Sequence, residues 1–323
     1  MAAKRIVAIV GATGAQGGGL ARAILADPAS EFEVRALTRA PDADRGRALA
    51  ERGATVVAAD LDDAASLTRA FAGADAVFGV TNFWEHMSPE RERRQAHAIA
   101  EAAKAAGVRH VIWSTLDDTR ARVPLEDPRI PTLMGEFKVP HFDAKGESDR
   151  RFVELGVPTT FLNTTFYWDN LIHFGMGPRR AEDGGLDLVL PMGDKRLAGI
   201  AADDIGRVAY GILRAGDAYV GKTVSVAGDF VTGAEMAEKL GVALGERVRY
   251  VDVPIEVYRT FGFPGAEDIA NMFWYYQTFE AEFCGARPLD ATRALHPQLQ
   301  TFDAWLAGHV AAIAATPAAA PAR

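Results

Sequence analysis

The stretch Ile6-Val-Ala-Ile-Val-Gly-Ala-Thr-Gly-Ala-Gln-Gly17 decides the fold of this chain. Its first five residues form the apolar, mostly β-branched run that is typical of a buried parallel strand. Gly11, Gly14 and Gly17 follow, at the point where a helix is expected to begin. They would permit a tight turn, close approach of a ligand and close packing of helix on strand, in that order. Strand, glycine-rich turn and helix in this sequence predict a dinucleotide site with its phosphates at the helix N-terminus.

The composition is that of an ordinary globular protein. A chain of 323 residues is long enough for one large α/β domain and a smaller lobe. Its one cysteine, Cys284, excludes an internal disulfide and fits a reducing compartment, so we expect the cytoplasm. The net charge of −8 argues against a broadly basic nucleic-acid surface, and no direct nucleic-acid partner is expected. The first strand begins too early to leave room for a signal peptide, and no apolar run approaches the roughly 20 residues of a membrane helix. No residue cluster has metal-ligand spacing.

Strand-like and helix-like segments alternate through the first half of the chain. Strands are predicted at 5–10, 33–38, 54–59, 75–80, 109–114 and 158–163, and helices start near Ala15, Ala43, Asp63, Ser88 and Pro140. This alternation indicates right-handed βαβ units and therefore an α/β fold with a Rossmann-type, doubly wound parallel sheet. Ligands of such sheets bind beyond the carboxyl ends of the strands, so the residues that follow each strand are the candidates for a site.

The regular alternation of strand-like and helix-like segments ends after Gly156, and a smaller α/β C-terminal lobe is predicted there. A helix at 202–213 and a strand at 222–227 are expected to return to the sheet, and Thr232-Gly-Ala-Glu235 has the form of a capping box. A strand near 247–253 and helices near Ile255, Ala266 and Thr301 follow. We therefore predict a dinucleotide-binding domain at 1–163 with 196–227 returning to it, a smaller lobe at 164–195 and 228–315, and a disordered tail at 316–323.

Arg39 follows the second predicted strand, where NAD-preferring sites usually carry an acidic residue for the ribose 2′-hydroxyl. A guanidinium at this place suits a 2′-phosphate, because it can form paired, charged hydrogen bonds with it. The sequence thus predicts NADP(H) in preference to NAD(H). The alternative is that Arg39 is a solvated surface residue.

The ends of the third and fourth predicted strands supply further candidates. Asp60 could accept a hydrogen bond from the adenine amino group while Leu61 packs on the ring, and Asp62 or Asp63 is placed to cap the next helix. Thr81-Asn-Phe83 would flank the ribose and the pyrophosphate. Trp84 could join them or pack in the core. The charged run from Pro89 to Arg94 is predicted to be a solvated helix face.

The glycine spacing G-x-x-G-x-x-G resembles that of the extended and atypical short-chain dehydrogenase/reductase superfamily. In that superfamily a Ser or Thr at the position of Ser114 orients a substrate carbonyl, and a Tyr-x-x-x-Lys pair follows one helix later. This chain has His141-Phe-Asp-Ala-Lys145 instead, so the lysine is kept and the tyrosine is replaced. His141 could serve as the proton donor, since histidine titrates near neutrality, or it could be a packing residue at the mouth of the site.

Taken together, the motifs resemble the NmrA-like family, and within it the HSCARG branch. The matching stretches are Gly11–Gly18, Val80–Glu85, His141–Glu147 and Phe261–Phe273, and the resemblance runs from about Lys4 to His309. It implies a Rossmann domain with a small C-terminal lobe that binds NADP or NAD. By motif position, the cofactor contacts would be Gly11, Ala12, Thr13, Gly14, Ala15, Gln16, Gly17, Arg39, Asp60, Leu61, Thr81, Asn82, Phe83, Arg94, Lys145, Tyr167, Trp168, Asp169 and Asn170. The branch usually has Phe in place of Trp168, so the indole is expected to alter the nicotinamide side of the pocket.

Two functions are compatible with these residues. The resemblance implies a sensor of the cofactor ratio that acts through a regulatory protein partner or by changing its own association into a homodimer. The alternative is an NADPH-dependent reductase of a small carbonyl, quinone or enone, with Lys145, His141 and Ser114 as its catalytic residues. Phe83, Trp84, Phe166, Tyr167 and Trp168 could line its pocket. The Pro-rich stretch between Thr115 and Pro140 could be a lid or a partner surface.

Overall fold

The computed structural model describes residues 3–314, and its strands and α-helices alternate from β1 to β6. The strands are β1 (Arg5–Ile9), β2 (Phe32–Thr38), β3 (Thr55–Ala58), β4 (Ala76–Gly79), β5 (His110–Thr115), β6 (Thr159–Asn163), β7 (Phe166–Tyr167), β8 (Arg179–Arg180), β9 (Leu186–Val189), β10 (Arg196–Ile200), β11 (Thr223–Ser225), β12 (Asp229–Thr232) and β13 (Val248–Val251). The helices are α1 (Ala15–Ala26), α2 (Asp44–Glu51), α3 (Ala64–Phe71), α4 (Pro89–Ala105), α5 (Pro140–Glu154), α6 (Asn170–His173), α7 (Ala202–Arg214), α8 (Gly233–Leu244), α9 (Ile255–Arg259), α10 (Ala266–Thr278), α11 (Glu280–Gly285), α12 (Leu289–Leu295) and α13 (Phe302–Ala314).

Within the described residues, seven parallel strands form one sheet in the order β11-β6-β5-β4-β1-β2-β3. Alternate residues of β1 face opposite sides of it. Val7 and Ile9 belong to a core shared with α1 and α7, while Ala8 lies in the core shared with α3, α4 and α5. Helices therefore cover both faces, which confirms the predicted doubly wound Rossmann-type fold.

Two glycines bring α1 and α7 into close contact. A Cβ at Gly19 would lie 2.5 Å from the carbonyl oxygen of Asp203, and one at Gly206 would lie 2.1 Å from the backbone nitrogen of Leu20. Neither position has room for a side chain. The helix that opens at the glycine-rich loop is thus fixed against a helix from the second half of the chain.

The second half also forms two three-stranded sheets, β12-β10-β7 and β13-β9-β8. The structure corrects the boundary of the segment 196–227, which was predicted to return to the large sheet. Helix α7 packs against the large sheet, and strand β11 pairs with β6 inside it. Strand β10 (Arg196–Ile200) does not join that sheet, because both of its edges are hydrogen-bonded to β12 and β7. The predicted tail at 316–323 lies outside the described residues, as does residue 315. No helix in residues 3–314 is long and apolar enough to cross a membrane.

Two predicted helix caps are confirmed. Asp63 is the N-cap of α3 and accepts a hydrogen bond from the backbone nitrogen of Ser66. Thr232 and Glu235 form a reciprocal capping box at the start of α8. Both signals are local, because cap and helix are adjacent in the chain.

The Pro-rich segment before α5 is held against that helix by one buried carboxylate. Asp143 Oδ1 accepts from the backbone nitrogen and hydroxyl of Thr119, at 2.8 and 2.6 Å. Its Oδ2 accepts from the backbone nitrogens of Lys138 and Val139, at 2.8 and 3.1 Å. A Cβ at Gly146 would lie 2.5 Å from the backbone nitrogen of Asp118, so the segment also passes very close to α5. Two stretches of the segment are therefore fixed against the start of α5.

Candidate functional site

A cavity of about 550 Å³ lies at the carboxyl edge of the large sheet and extends to residues of the smaller lobe. Its walls bring together most of the residues that the sequence predicts for the site, from six separate stretches of the chain. These are Gly11, Thr13, Gly14, Ala15, Gln16, Gly17, Arg39, Asp60, Leu61, Thr81, Asn82, Phe83, His141, Lys145, Tyr167 and Asn170. The site therefore lies where doubly wound sheets bind their ligands.

The glycine-rich loop has the geometry of a phosphate cradle. Gly11 has a φ of +62°, which is accessible to glycine at little cost. A Cβ at Gly17 would lie 2.6 Å from the carbonyl oxygens of Val10 and Gly11, so only glycine lets α1 start this close to β1. Gly14, at the N-terminus of α1, has no side chain between its backbone and the cavity. The loop fits a dinucleotide pyrophosphate.

Arg39 stands on the cavity wall after β2, and its guanidinium forms an ion pair with Glu85 of the segment after β4. Both side chains are largely exposed. Arg45, in the first turn of α2, reaches towards the carbonyl oxygen of Thr13 in the glycine-rich loop, at 3.5 Å. Two guanidinium groups thus lie near the end of the cavity that Asp60 and Leu61 also line.

Lys145 is buried and donates to three oxygens across the cavity wall. Its Nζ lies 2.9 Å from the carbonyl oxygen of Thr81, 2.5 Å from the Thr81 hydroxyl and 2.6 Å from Oε1 of Glu92. The Thr81 hydroxyl in turn donates to the same Glu92 oxygen at 2.5 Å. The network joins α4 and α5 to the end of β4.

Glu92 corrects the predicted solvated face of α4, because its side chain is completely buried. Burial on its own raises the pKa of this carboxyl, but the Lys145 charge, the hydrogen bonds from Lys145 and Thr81 and the nearby His86 ring outweigh it and lower the pKa to about 2. The Nε2 atom of His86 lies 3.3 Å from Oε2. Sequence reasoning missed Glu92, since a glutamate between arginines on a helix normally faces water.

Ser114 does not face the cavity, contrary to its predicted role beside a substrate carbonyl. It is 1 % exposed, and its hydroxyl donates to Oε1 of Gln16 at 2.7 Å. The amide of Gln16 donates to the hydroxyl of Tyr167, also at 2.7 Å. Burial raises the pKa of Tyr167 to about 12. Ser114 therefore orients Gln16, which together with Tyr167 lines the cavity.

His141 lines the cavity and is held by a carboxylate that the sequence analysis did not identify. Its Nδ1 lies 2.6 Å from Oδ1 of Asp268 in α10, and its backbone nitrogen donates to Oδ2 at 3.2 Å. The ring packs against Trp84 and Phe83, with centroids 4.8 and 6.0 Å apart. His141 thus packs at the cavity wall, as one of its two predicted roles requires, and its role as a proton donor stays a prediction.

Apolar side chains line the end of the cavity that the smaller lobe contributes. They include Phe174, Met176, Phe263, Pro264, Ile269, Met272 and Tyr276, and they are joined by Leu116, Phe142 and Phe166. Four of the five aromatic residues predicted to line a pocket do so, namely Phe83, Trp84, Phe166 and Tyr167. The stretch from Phe261 to Phe273, which generic dinucleotide binding does not require, builds part of this end.

Trp168 and Asp169 lie away from the cavity, which corrects their predicted cofactor contacts. Trp168 is fully buried in the core of the smaller lobe, where its ring lies 5.6 Å from that of Phe302. The indole fits there because Gly199 on the neighbouring strand has no side chain; a Cβ would lie 2.1 Å from the indole nitrogen. Asp169 accepts from the backbone nitrogen of Ala202 at 2.9 Å, at the start of α7.

Ala12 and Arg94 are two further corrections. The side chain of Ala12 is buried, and its backbone nitrogen donates to the carbonyl oxygen of Leu37 at 3.4 Å, which ties the loop to β2. Arg94 points to solvent. Its neighbour Gln95 lines the cavity instead, because Glu92 and Gln95 share the inward face of α4. Within residues 3–314, no group of three His, Cys, Asp or Glu side chains is placed to hold a metal ion.

Known proteins share this architecture. The solved structure of Nmra, described as a negative transcriptional regulator in complex with NAD, superposes with a TM-score of 0.76 at 21% identity and covers 95% of both chains. A Citrobacter sp. triphenylmethane reductase complexed with NADP(H) gives a TM-score of 0.73 at 21% identity, over 95% of this chain and 99% of that one. At these identities the likeness concerns the fold.

Sequence comparison identifies the family. The NAD(P)H azoreductase of Xenophilus azovorans is 30% identical over 252 residues, which are 78% of each chain. The sequence profile described as the NmrA-like family matches residues 3–306, nearly the whole length. On this match, and with the fold and cavity described above, the chain belongs to the NmrA-like family.

Proposed function

We propose that this protein is an NADP(H)-dependent oxidoreductase that reduces an apolar, unsaturated acceptor such as an aromatic carbonyl compound, a quinone or an enone. The observation that carries the proposal is one continuous cavity, which runs from the glycine-rich loop to an apolar end in the smaller lobe. Its volume of about 550 Å³ lies within the range of small-molecule sites, about 300–1,000 Å³. NADPH, when bound, would supply a hydride.

The strand ends would hold the dinucleotide. The backbone of Gly14 and Ala15 at the start of α1 would receive the pyrophosphate, since the first N–H groups of a helix have no partner in the helix. Asp60 and Leu61 would receive the adenine. The nicotinamide half would lie between the adenine end of the cavity and the smaller lobe. This part of the cavity is lined by Thr81, Asn82, Phe83, Lys145, Tyr167 and Asn170.

Preference for NADP(H) is supported by the two guanidinium groups beside the adenine end. Arg39 lies on the cavity wall, and Arg45 approaches the glycine-rich loop from α2. A phosphate on the ribose would replace Glu85 as the partner of Arg39. That exchange is favourable, because a phosphate is a dianionic, bidentate partner and the exposed Arg39–Glu85 pair is worth at most about 1 kcal/mol.

The apolar end indicates what kind of acceptor would bind. Met272, Ile269 and Phe166 present hydrocarbon to the cavity, and Phe263 and Phe174 are partly exposed beside them. Burial of a flat aromatic acceptor against such a wall is favourable at about 25 cal/mol for each Å² of apolar surface. The polar groups near this end are few, so an acceptor with a localised, strongly hydrated charge would bind poorly.

The names of relatives support a reductase. The Xenophilus azovorans relative is an NAD(P)H azoreductase, and the Citrobacter sp. structure is a triphenylmethane reductase. Azo dyes and triphenylmethane dyes are both flat or propeller-shaped aromatic compounds that accept a hydride. The acceptor proposed for this chain shares that character.

A panel of acceptors tests the proposal. Purified protein is mixed with NADPH and, in turn, aromatic aldehydes, quinones, enones and aromatic dyes, and the loss of NADPH absorbance is followed with product analysis. We expect turnover of at least one class, and we expect Met272→Trp, which fills the apolar end, to abolish it while NADPH affinity stays within about threefold. The control is Met134→Trp, because Met134 is exposed and lies outside the cavity lining. Turnover that persists in Met272→Trp would contradict the proposed acceptor site.

A redox sensor of the HSCARG branch, acting through a protein partner or by forming a homodimer, is the second candidate. The replacement of the expected tyrosine by His141 and the engagement of Lys145 with Thr81 and Glu92 favour it. A sensor must bind NADPH and NADP⁺ with different affinity, since a ligand that binds two states equally shifts neither. Calorimetry with both forms, combined with the size of the protein in each, tests this role. Equal affinities and an unchanged size would exclude it.

A further inference from the structure

We infer that His141, oriented by Asp268, delivers the proton that completes the reduction of a carbonyl acceptor. This inference rests on the proposed reductase function and names the proton donor and a positioning residue of the same site. The geometry that carries it is a histidine on the cavity wall whose far side is fixed by a buried carboxylate from the other lobe.

Asp268 fixes both the position and the tautomer of the His141 ring. Its two oxygens bind the same residue, Oδ1 at the ring Nδ1 and Oδ2 at the backbone nitrogen. A carboxylate can only accept hydrogen bonds, so Nδ1 carries a proton towards it. The ring's second nitrogen, Nε2, is then the atom that is left to exchange a proton with a ligand. The same arrangement orients histidines in other proton-transfer sites.

The position of Asp268 depends on the loop that precedes α10. Gly265 has a φ of +83° and lies against Trp84, where a Cβ would come within 2.7 Å of the indole ring. This contact sets the first turn of α10 beside the Trp84 and His141 rings, whose centroids are 4.8 Å apart. Asp268 itself is only 4 % exposed. The carboxylate, the ring and the indole thus form one packed unit at the wall.

The other candidates for the donor are engaged elsewhere. Lys145 has three N–H groups, and three oxygens of Thr81 and Glu92 already accept from it. The hydroxyl of Tyr167 is bonded to Gln16 and Thr164, and burial raises its pKa to about 12. Burial also raises the pKa of Tyr276. The Ser114 hydroxyl donates to Gln16 away from the cavity.

The proton balance of the reaction follows from this assignment. The carbonyl carbon accepts a hydride, the π electrons move to the oxygen, and that oxygen takes a proton from Nε2 of the doubly protonated His141. Solvent then returns a proton to Nε2, so the sum is one hydride from NADPH and one proton from water for each alcohol formed. A triarylmethane cation differs, because its central carbon becomes neutral on accepting the hydride and needs no proton.

A comparison of two acceptors therefore distinguishes the loss of the proton donor from damage to the rest of the site. We expect His141→Gln to lower kcat for an aromatic aldehyde by about 100-fold or more, the range of general acid catalysis. Reduction of a triarylmethane cation, and NADPH affinity measured by fluorescence, should change by less than about threefold. Asp268→Asn should lower the aldehyde kcat by at least about tenfold, because an amide no longer selects the Nδ1–H tautomer. Glu267→Gln, an exposed neighbour in the same turn, is the matched control and should match the wild type.

A measurement that requires no turnover accompanies the kinetics. The imidazole ¹⁵N–¹H spectrum of the protein without cofactor should show the His141 proton on Nδ1 in the wild type and in Glu267→Gln, and its loss or transfer in Asp268→Asn. An unchanged tautomer in Asp268→Asn would overturn the role of Asp268. Unfolding by urea checks that the variants remain folded.

Each kinetic outcome has one meaning. Equal losses with the aldehyde and the cation, or an aldehyde rate in His141→Gln within threefold of the wild type, would overturn the assignment of His141. A wild type that reduces only the cation leaves the proposed function standing and overturns the donor, since that reduction needs no proton. If the wild type reduces a quinone but not the aldehyde, the quinone takes the aldehyde's place in the comparison, because its reduction to the hydroquinone also consumes a proton. A quinone rate in His141→Gln within threefold of the wild type then overturns the donor. If the wild type reduces the aldehyde alone, partial recovery of His141→Ala by added imidazole supports the donor, and no recovery overturns it. A wild type that reduces nothing overturns both proposals.

Discussion

The Nζ atom of Lys145 lies 2.6 Å from Oε1 of Glu92, and both side chains are shielded from solvent. This buried ion pair connects α5 to α4 beneath the cavity, and Thr81 at the end of β4 shares it. Lys145 belongs to the stretch His141–Glu147, but its position is set by a residue outside that stretch. The nicotinamide side of the cavity thus depends on a charge pair that no local pattern reveals.

The first prediction concerns Glu92 and acid stability. Its pKa is lowered from 4.5 to about 2, so the ion pair stabilises the fold fully above about pH 4.5, and that contribution is lost as the pH falls towards 2. Glu92→Gln leaves the Lys145 charge buried without its partner and should cost about 3–5 kcal/mol at pH 7. It should also remove this part of the acid dependence. Urea unfolding at pH 7 and pH 3 measures both effects.

Glu101→Gln is the control for Glu92→Gln. Glu101 lies on the same helix, but its carboxylate is exposed and pairs with Arg151 at the surface. Its removal should cost at most about 1 kcal/mol. If Glu92→Gln loses no more stability than this control, or keeps the acid dependence of the wild type, the ion pair is not what holds Lys145.

The second prediction concerns the choice between NADP and NAD. Arg39→Ala should weaken NADP binding about 10- to 100-fold, the value of one or two charged hydrogen bonds, and should change NAD binding little. Glu85→Gln should strengthen NADP binding severalfold, because it frees the guanidinium that Glu85 now pairs with. Titration calorimetry of the wild type and both variants with each dinucleotide measures the six affinities. An equal loss of both dinucleotides in Arg39→Ala would show that Arg39 does not bind the 2′-phosphate.

The third prediction concerns the contact between α1 and α7. Gly206→Ala would place a Cβ 2.1 Å from the backbone nitrogen of Leu20, so the two helices must separate. We expect a loss of about 1–3 kcal/mol or more, and weaker dinucleotide binding since α1 begins at the glycine-rich loop. Gly308→Ala in α13 is the matched control, because nothing lies within 4 Å of its Cβ position, and it should be about 0.5–1 kcal/mol more stable than the wild type. A Gly206→Ala protein as stable as the wild type would refute this packing.

Local patterns predicted much of the large sheet. The run from Ile6 to Val10 and its five counterparts in the first half are strands, because short apolar runs next to turn residues specify strands without distant information. The residues after these strands also lie together, since parallel strands bring their carboxyl ends to one edge. Arg39, Thr81 and Gln16 were predicted in this way, and all three line the cavity.

Long-range partners could not be predicted in the same way. Glu92 and Asp268 act on Lys145 and His141 from other helices, and a sequence does not show which charged residues meet after folding. Trp168 was expected at the cofactor from its position in the motif of the resembling family. The indole instead turns to the core, where Gly199 on the adjacent strand leaves space for it.

The transfer of a hydride tests the account most directly. NADPH that carries deuterium at its transferable position is mixed with the purified protein and an aromatic aldehyde or quinone that the acceptor panel identifies. We predict that the reduced product of the aldehyde contains the deuterium on its former carbonyl carbon, or that NADPH is oxidised in step with quinone reduction, in the wild type but not in Met272→Trp. NADPH that binds tightly while every acceptor stays unreduced would contradict the central claim and leave the sensor as the function of this cavity.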